Sequence, residues 1–118
     1  GALLGLTFKE NVGDIRNTKV VDIISELGEY MVETLLYDPF ANADEVRHEY
    51  GLEILPSLAN IPPVDAVILA VSHDKFKELT LDKLADFCKK GSTPVVIDIK
   101  GVYEPEMAVK QAIKYWRL

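Results

Sequence analysis

Cysteine is nearly absent: one residue, Cys88, stands in a chain of 118. No internal disulfide can form, and no Cys/His spacing resembles a zinc site. Such usage fits a reducing compartment, so a cytoplasmic setting and no bound metal are expected. Long apolar runs are also missing, and none approaches the roughly 20 residues needed to span a bilayer. No membrane partner is expected. Cations are in deficit, with 13 Lys+Arg against 19 Asp+Glu and a formal charge of −6. A general nucleic-acid binder carries a basic face, so nucleic acid is excluded as a partner. A small anionic ligand is not excluded, because two or three local cations suffice. Histidine is scarce. His48 lies in a polar helical stretch, and His73 is flanked by Ser72 and Asp74, neighbours too close in sequence to form a triad with it. Glycine is missing where a dinucleotide fold needs it. The turn after the first apolar run holds one, Gly13, and is too long to lay backbone N–H groups against a pyrophosphate.

What remains is a globular composition, 48% apolar, sufficient for one domain over 1–118. Apolar runs alternate with amphipathic stretches. Strands are expected at 3–7, 33–37, 52–55, 65–71 and 94–98, with 64–71 the most apolar run and therefore central. Val20, Val21, Ile23, Ile24 and Leu27 recur at helical spacing, and Gly28 is expected to end that helix. Further helices are expected at 42–50, at 74–79 and 81–90 as one interrupted helix or two short ones, and at 105–115, where Pro105 suits a first turn. This alternation predicts an α/β fold in three layers: a mostly parallel five-stranded sheet with helices on both faces. The expected strand order is 52–55, 33–37, 3–7, 65–71, 94–98. The chain opens on an apolar run without a lead-in, so it is expected to be a fragment of a longer protein.

Open α/β sheets bind ligands beyond the carboxyl ends of their strands. The loops there carry Lys9, Arg16, Lys19 and Lys100, cations suited to phosphate oxygens, against the alternative of plain solvated charge. Asp38 stands where a dinucleotide fold keeps its ribose-binding acid. Without the glycines, a turn or cap role beside Pro39 is the better reading. Cys88, beside Phe87 in a helical stretch, reads as packing and not as a nucleophile.

The stretch Gly5-Leu6-Thr7-Phe8-Lys9-Glu10-Asn11-Val12-Gly13-Asp14-Ile15-Arg16-Asn17-Thr18-Lys19 resembles the opening of the C-terminal UDP-binding domain of UDP-glucose/GDP-mannose dehydrogenases. Phe8, Lys9, Asp14 and Arg16 fall at that family's spacing. Tyr37-Asp38-Pro39, Ala70-Val71-Ser72-His73 with Phe76, and Asp98-Ile99-Lys100-Gly101 agree as well, so the likeness covers essentially the whole chain. Within the family it is most similar to the branch acting on UDP-N-acetylhexosamines in bacterial polysaccharide biosynthesis. The resemblance implies a Rossmann-like domain that binds the UDP-sugar through Phe8, Lys9 and Lys100. It also implies that Arg16 reaches across to NAD, a cofactor held mainly by an N-terminal domain. The complete enzyme would have a central dimerising domain, form a homodimer, and oxidise the sugar C6 hydroxyl to a carboxylate through a cysteine thiohemiacetal. Neither the NAD fingerprint nor a glycine-rich cysteine segment is present here. The isolated chain is therefore expected to bind without catalysing, with no catalytic residue of its own.

Two other classes compete. A phosphoacceptor receiver needs an acid pair at the end of its first strand; Phe8-Lys9 stands there, which excludes it. A non-enzymatic nucleotide- or CoA-binding α/β module is permitted by the bare pattern. Selective binding of uridine nucleotides separates that module from the dehydrogenase domain.

Overall fold

Successive strand side chains point to opposite faces, so a continuous apolar run buries both, and here such runs build a sheet between two cores. The computed structural model describes residues 2–4, 20–59, 61–70 and 79–117. Strands β1 (Ala2–Leu4), β2 (Leu35–Tyr37), β3 (Val67–Leu69), β4 (Val95–Asp98) and β5 (Lys114–Arg117) lie in the order β2-β1-β3-β4-β5. All four pairings are parallel. The registers put Leu4, Tyr37, Leu69, Asp98 and Arg117 in one row, so the strands end along a common edge.

Consecutive strand residues face opposite layers. Leu36 joins Val46 and Ala70 on one side, with Val21, Ile24, Ile54 and Ile68 packed against them. That layer holds α1 (Val20–Glu29) and α2 (Ala43–Tyr50). Tyr37, Val67, Leu69 and Val96 join Leu81, Leu84 and Ala108 on the other side, the layer of α3 (Leu81–Ala85) and α4 (Pro105–Lys110).

Helix α2 is specified locally at both ends. The Asn42 side chain accepts from the Asp44 and Glu45 N–H groups at 2.9 and 3.1 Å, and Gly51 takes the left-handed conformation that closes the last turn. Helix α1 departs from expectation. It runs past Gly28 to Glu29, and the left-handed residue is Met31, at φ 62°. The Val32 N–H reaches back to the Leu27 carbonyl and that of Met31 to Gly28, so the closing motif is the usual one, moved along the chain.

Four of the five expected strands are in the sheet; the fifth, 52–55, is not. Only Ile54 forms a parallel bridge, to Leu36. Pro56 follows at once in a bend, and its fixed φ and missing N–H end the pairing. The sheet gains its outer strand elsewhere. The expected helix over 105–115 stops at Lys110; Ala112 turns the chain at φ 55°, and β5 pairs with β4. Ile113 is buried, Lys114 exposed, Tyr115 half-buried and Trp116 exposed, which is a strand's alternation. The expected helix over 81–90 is likewise short. After Ala85 the chain turns, and Cys88 bridges to Val64 with its side chain buried in the core. The expected helix at 74–79 falls largely outside the described residues.

Candidate functional site

The common edge of strand ends directs attention to the loops leaving it. Of the candidates read from the sequence, Phe8, Lys9 and Arg16 lie outside the described residues, as does His73. Lys100 is described. It is exposed, two residues beyond the end of β4, and among the described residues it makes no ion pair.

Asp38, one residue past the end of β2, is buried. Its Oδ1 accepts from the Phe40 N–H at 2.8 Å and the Ala41 N–H at 3.2 Å. The carboxylate thus organises its own turn around Pro39, as expected from the sequence. Among the described residues Asp38 thus serves its own turn, and the turn after the first apolar run holds a single glycine, Gly13, so these residues do not fit an NAD cradle of the dinucleotide kind.

The most elaborate arrangement on this edge surrounds Asp98, the last residue of β4, which is 0% exposed. Burying a carboxylate is costly unless donors reach it. Two do: the Tyr103 N–H at 3.0 Å and the Tyr115 hydroxyl at 2.5 Å, both to Oδ2. Oδ1 has no hydrogen-bond partner among the described residues. The Tyr115 hydroxyl also stands 3.0 Å from the Tyr103 carbonyl, and the Tyr103 hydroxyl donates to the Leu79 carbonyl at 2.6 Å. Burial, and then the charge of Asp98, push the Tyr103 phenol up to about 12. Burial and the hydrogen bond to Asp98 push Tyr115 upward as well. Both hydroxyls therefore stay protonated donors near neutral pH.

The Arg117 Nη2 donates to the Gly101 carbonyl at 2.9 Å. Gly101 takes φ +68°, and a Cβ built there would stand 2.6 Å from the Arg117 Nη2. Only glycine accommodates both conditions. Gly101→Ala is expected to lower stability by about 1–2 kcal/mol through left-handed strain and to push the guanidinium off the loop. Gly91→Ala, at φ +88° with nothing within 4 Å, is the control for strain alone. Urea midpoints for the two variants check this; an unshifted midpoint for Gly101→Ala rules it out.

Tyr103 follows Lys100 and Gly101 in the loop expected after the last strand, whereas nothing in the sequence reading marks Tyr115 and Arg117. The alternation over 113–117 was the available signal, but helix-favouring Lys110, Gln111 and Ala112 run directly into it. Chemically, the described part of the edge offers a cation on a pinned loop, suited to holding an anion. Among the described residues no group of three or more His, Cys, Asp or Glu could hold a metal ion, and no helix is long and apolar enough to cross a membrane.

Comparison with known proteins is specific. Residues 2–105 match the family described as "UDP-glucose/GDP-mannose dehydrogenase family, UDP binding domain". A UDP-N-acetyl-D-glucosamine 6-dehydrogenase of Salmonella typhi is 41% identical over 106 residues, 90% of this chain and 24% of the relative. That of Pseudomonas aeruginosa is 41% identical over 104 residues, 88% of this chain and 24% of the relative. Protein CapL of Staphylococcus aureus is 38% identical over 117 residues, 98% of this chain and 26% of the relative. The chain spans about a quarter of the length of these relatives.

Proposed function

Because this chain belongs to the UDP-glucose/GDP-mannose dehydrogenase family and corresponds to its UDP binding domain, we propose that it holds the UDP group of a UDP-sugar in an NAD-dependent 6-dehydrogenase. The whole enzyme oxidises the sugar C6 hydroxyl to a carboxylate. On this reading the substrate class is a UDP-N-acetylhexosamine whose product enters surface polysaccharide; the two relatives at 41% identity, each named a UDP-N-acetyl-D-glucosamine 6-dehydrogenase, support the first part. The observation that carries the reading is Lys100: exposed, without an ion pair among the described residues, and set just beyond the common edge of strand ends.

On this reading Lys9 and Lys100 offset diphosphate charge, and Phe8 packs near the nucleotide. A planar Arg fork suits a phosphate on the far side of a cleft, so Arg16 extends toward NAD. NAD accepts the hydride from the sugar and is bound by residues outside this chain. The Rossmann-like domain over 1–118 forms one wall, excluding water and orienting the UDP-sugar, while the N-terminal and central domains of a cytoplasmic homodimer complete the site.

Titration of the chain with UDP, ADP, GDP and CoA tests the assignment. UDP-selective binding is the expected result, while equal or tighter binding of CoA or ADP supports a general nucleotide module instead. The same chain mixed with UDP-N-acetylglucosamine and NAD is expected to form no NADH. Steady NADH production would overturn the division of labour.

A further inference from the structure

We propose that Tyr115 and Arg117 of β5 are positioning residues for Lys100, an inference that rests on the UDP-binding reading above. The two side chains are two residues apart on one strand and therefore share a face. Both reach the loop that carries Lys100. Tyr115 contacts Asp98 at the start of that loop and the Tyr103 carbonyl at its end. Arg117 holds the Gly101 carbonyl between them. Asp98 closes the loop on itself through the Tyr103 N–H, and the Gly101 N–H lies 3.4 Å from the Asp98 carbonyl.

Lys100 thus sits between anchored neighbours on both sides while its own side chain stays exposed. A lysine on a loose loop loses backbone freedom when it closes on an anion, and that loss subtracts from affinity. On this loop the backbone is already ordered by β5. Burial and the hydrogen bond to Asp98 push the Tyr115 phenol upward, so its hydroxyl keeps its proton as a donor. Sheet register makes the geometry dependable: Arg117 pairs with Asp98, and Tyr115 with Val96.

Tyr115→Phe removes one hydroxyl and little else. UDP titration of the chain by calorimetry is the measurement, for Tyr115→Phe, Lys100→Ala and the double variant. Tyr115→Phe is expected to weaken UDP binding by about three- to tenfold. Lys100→Ala is expected to weaken it by about tenfold or more. In the Lys100→Ala background, Tyr115→Phe is expected to add nothing, because a residue acting only through Lys100 has nothing left to position. Arg117→Ala, at an exposed position, is expected to behave the same way and carries the test if Tyr115→Phe fails to fold. Unchanged affinity in both β5 variants, or losses that simply add to that of Lys100→Ala, overturns the inference while leaving the UDP site intact. Absence of UDP binding by the unaltered chain, or no effect of Lys100→Ala, overturns the reading of the site, and the positioning role falls with it.

Discussion

Lys9→Ala is expected to weaken UDP binding by roughly ten- to a hundredfold, the loss of one charge-assisted contact worth about 1.5–3 kcal/mol. The reason begins with the sheet. β1 is flanked by β2 and β3, and Leu4 ends in register with Tyr37 and Leu69. The chain therefore leaves β1 at the interior of the edge of strand ends, and Lys9 follows five residues later in the sequence. Lys9 lies outside the described residues, so its proposed role rests on that sequence position and on the likeness of Phe8-Lys9 to the family's opening motif. Calorimetric titration with UDP at fixed ionic strength checks it; equal affinity of variant and parent chain removes the role. Arg16→Lys supplies the contrast. It is expected to leave UDP binding nearly intact and, in the complete dehydrogenase, to raise the apparent constant for NAD. Should it weaken UDP binding as much as Lys9→Ala does, Arg16 belongs with the sugar nucleotide.

The second large effect concerns stability. Leu84→Ala is expected to cost about 2–5 kcal/mol, against the roughly 5–15 kcal/mol that holds a typical domain folded. Leu84 is 0% exposed and central to the core beneath β3 and β4. Helix α3, only five residues long, is too short to persist on intrinsic propensity. It is held by what Leu81 and Leu84 bury, so removing one of them acts on the whole layer. Val109→Ala in α4, at a side chain 81% exposed, is expected to stay within about 0.5 kcal/mol. Urea unfolding of both variants gives the comparison. A cost below about 1 kcal/mol for Leu84→Ala would mean that α3 does not seat on the sheet as described.

Features that depend on near neighbours were legible in the sequence. Asn42 and Gly51 bracket α2 because caps act over two to four residues. Asp38 binds N–H groups two and three residues ahead, which its place before Pro39 already indicated. Alternating apolar runs located β1 to β4, and the cationic strand-end loops pointed to an anion site. Phe8, Lys9, Asp14 and Arg16, at the family's spacing, carry the likeness in the sequence itself.

Other features were decided by partners far along the chain. Residues 52–55 were apolar enough to be a strand, but pairing needs several successive rungs, and Pro56 allowed only the bridge from Ile54 to Leu36. Residues 114–117 continued a helix-favouring run, yet β4 presented an unpaired edge. β5 pairs with its backbone groups, and Ile113 is buried and Tyr115 half-buried as the strand seats. From that one tertiary choice follows the cluster on Asp98, whose hydroxyl donor comes from 17 residues away, and the hold of Arg117 on Gly101 from 16 residues away. Local periodicity carries no record of such contacts, because the partner that makes a residue part of a site is brought near only when the sheet closes. The sequence alone determined the alternating α/β architecture, the cations of the strand-end loops and the family. Tertiary structure decided which segment became the outer strand, and so which side chains hold the Lys100 loop in place.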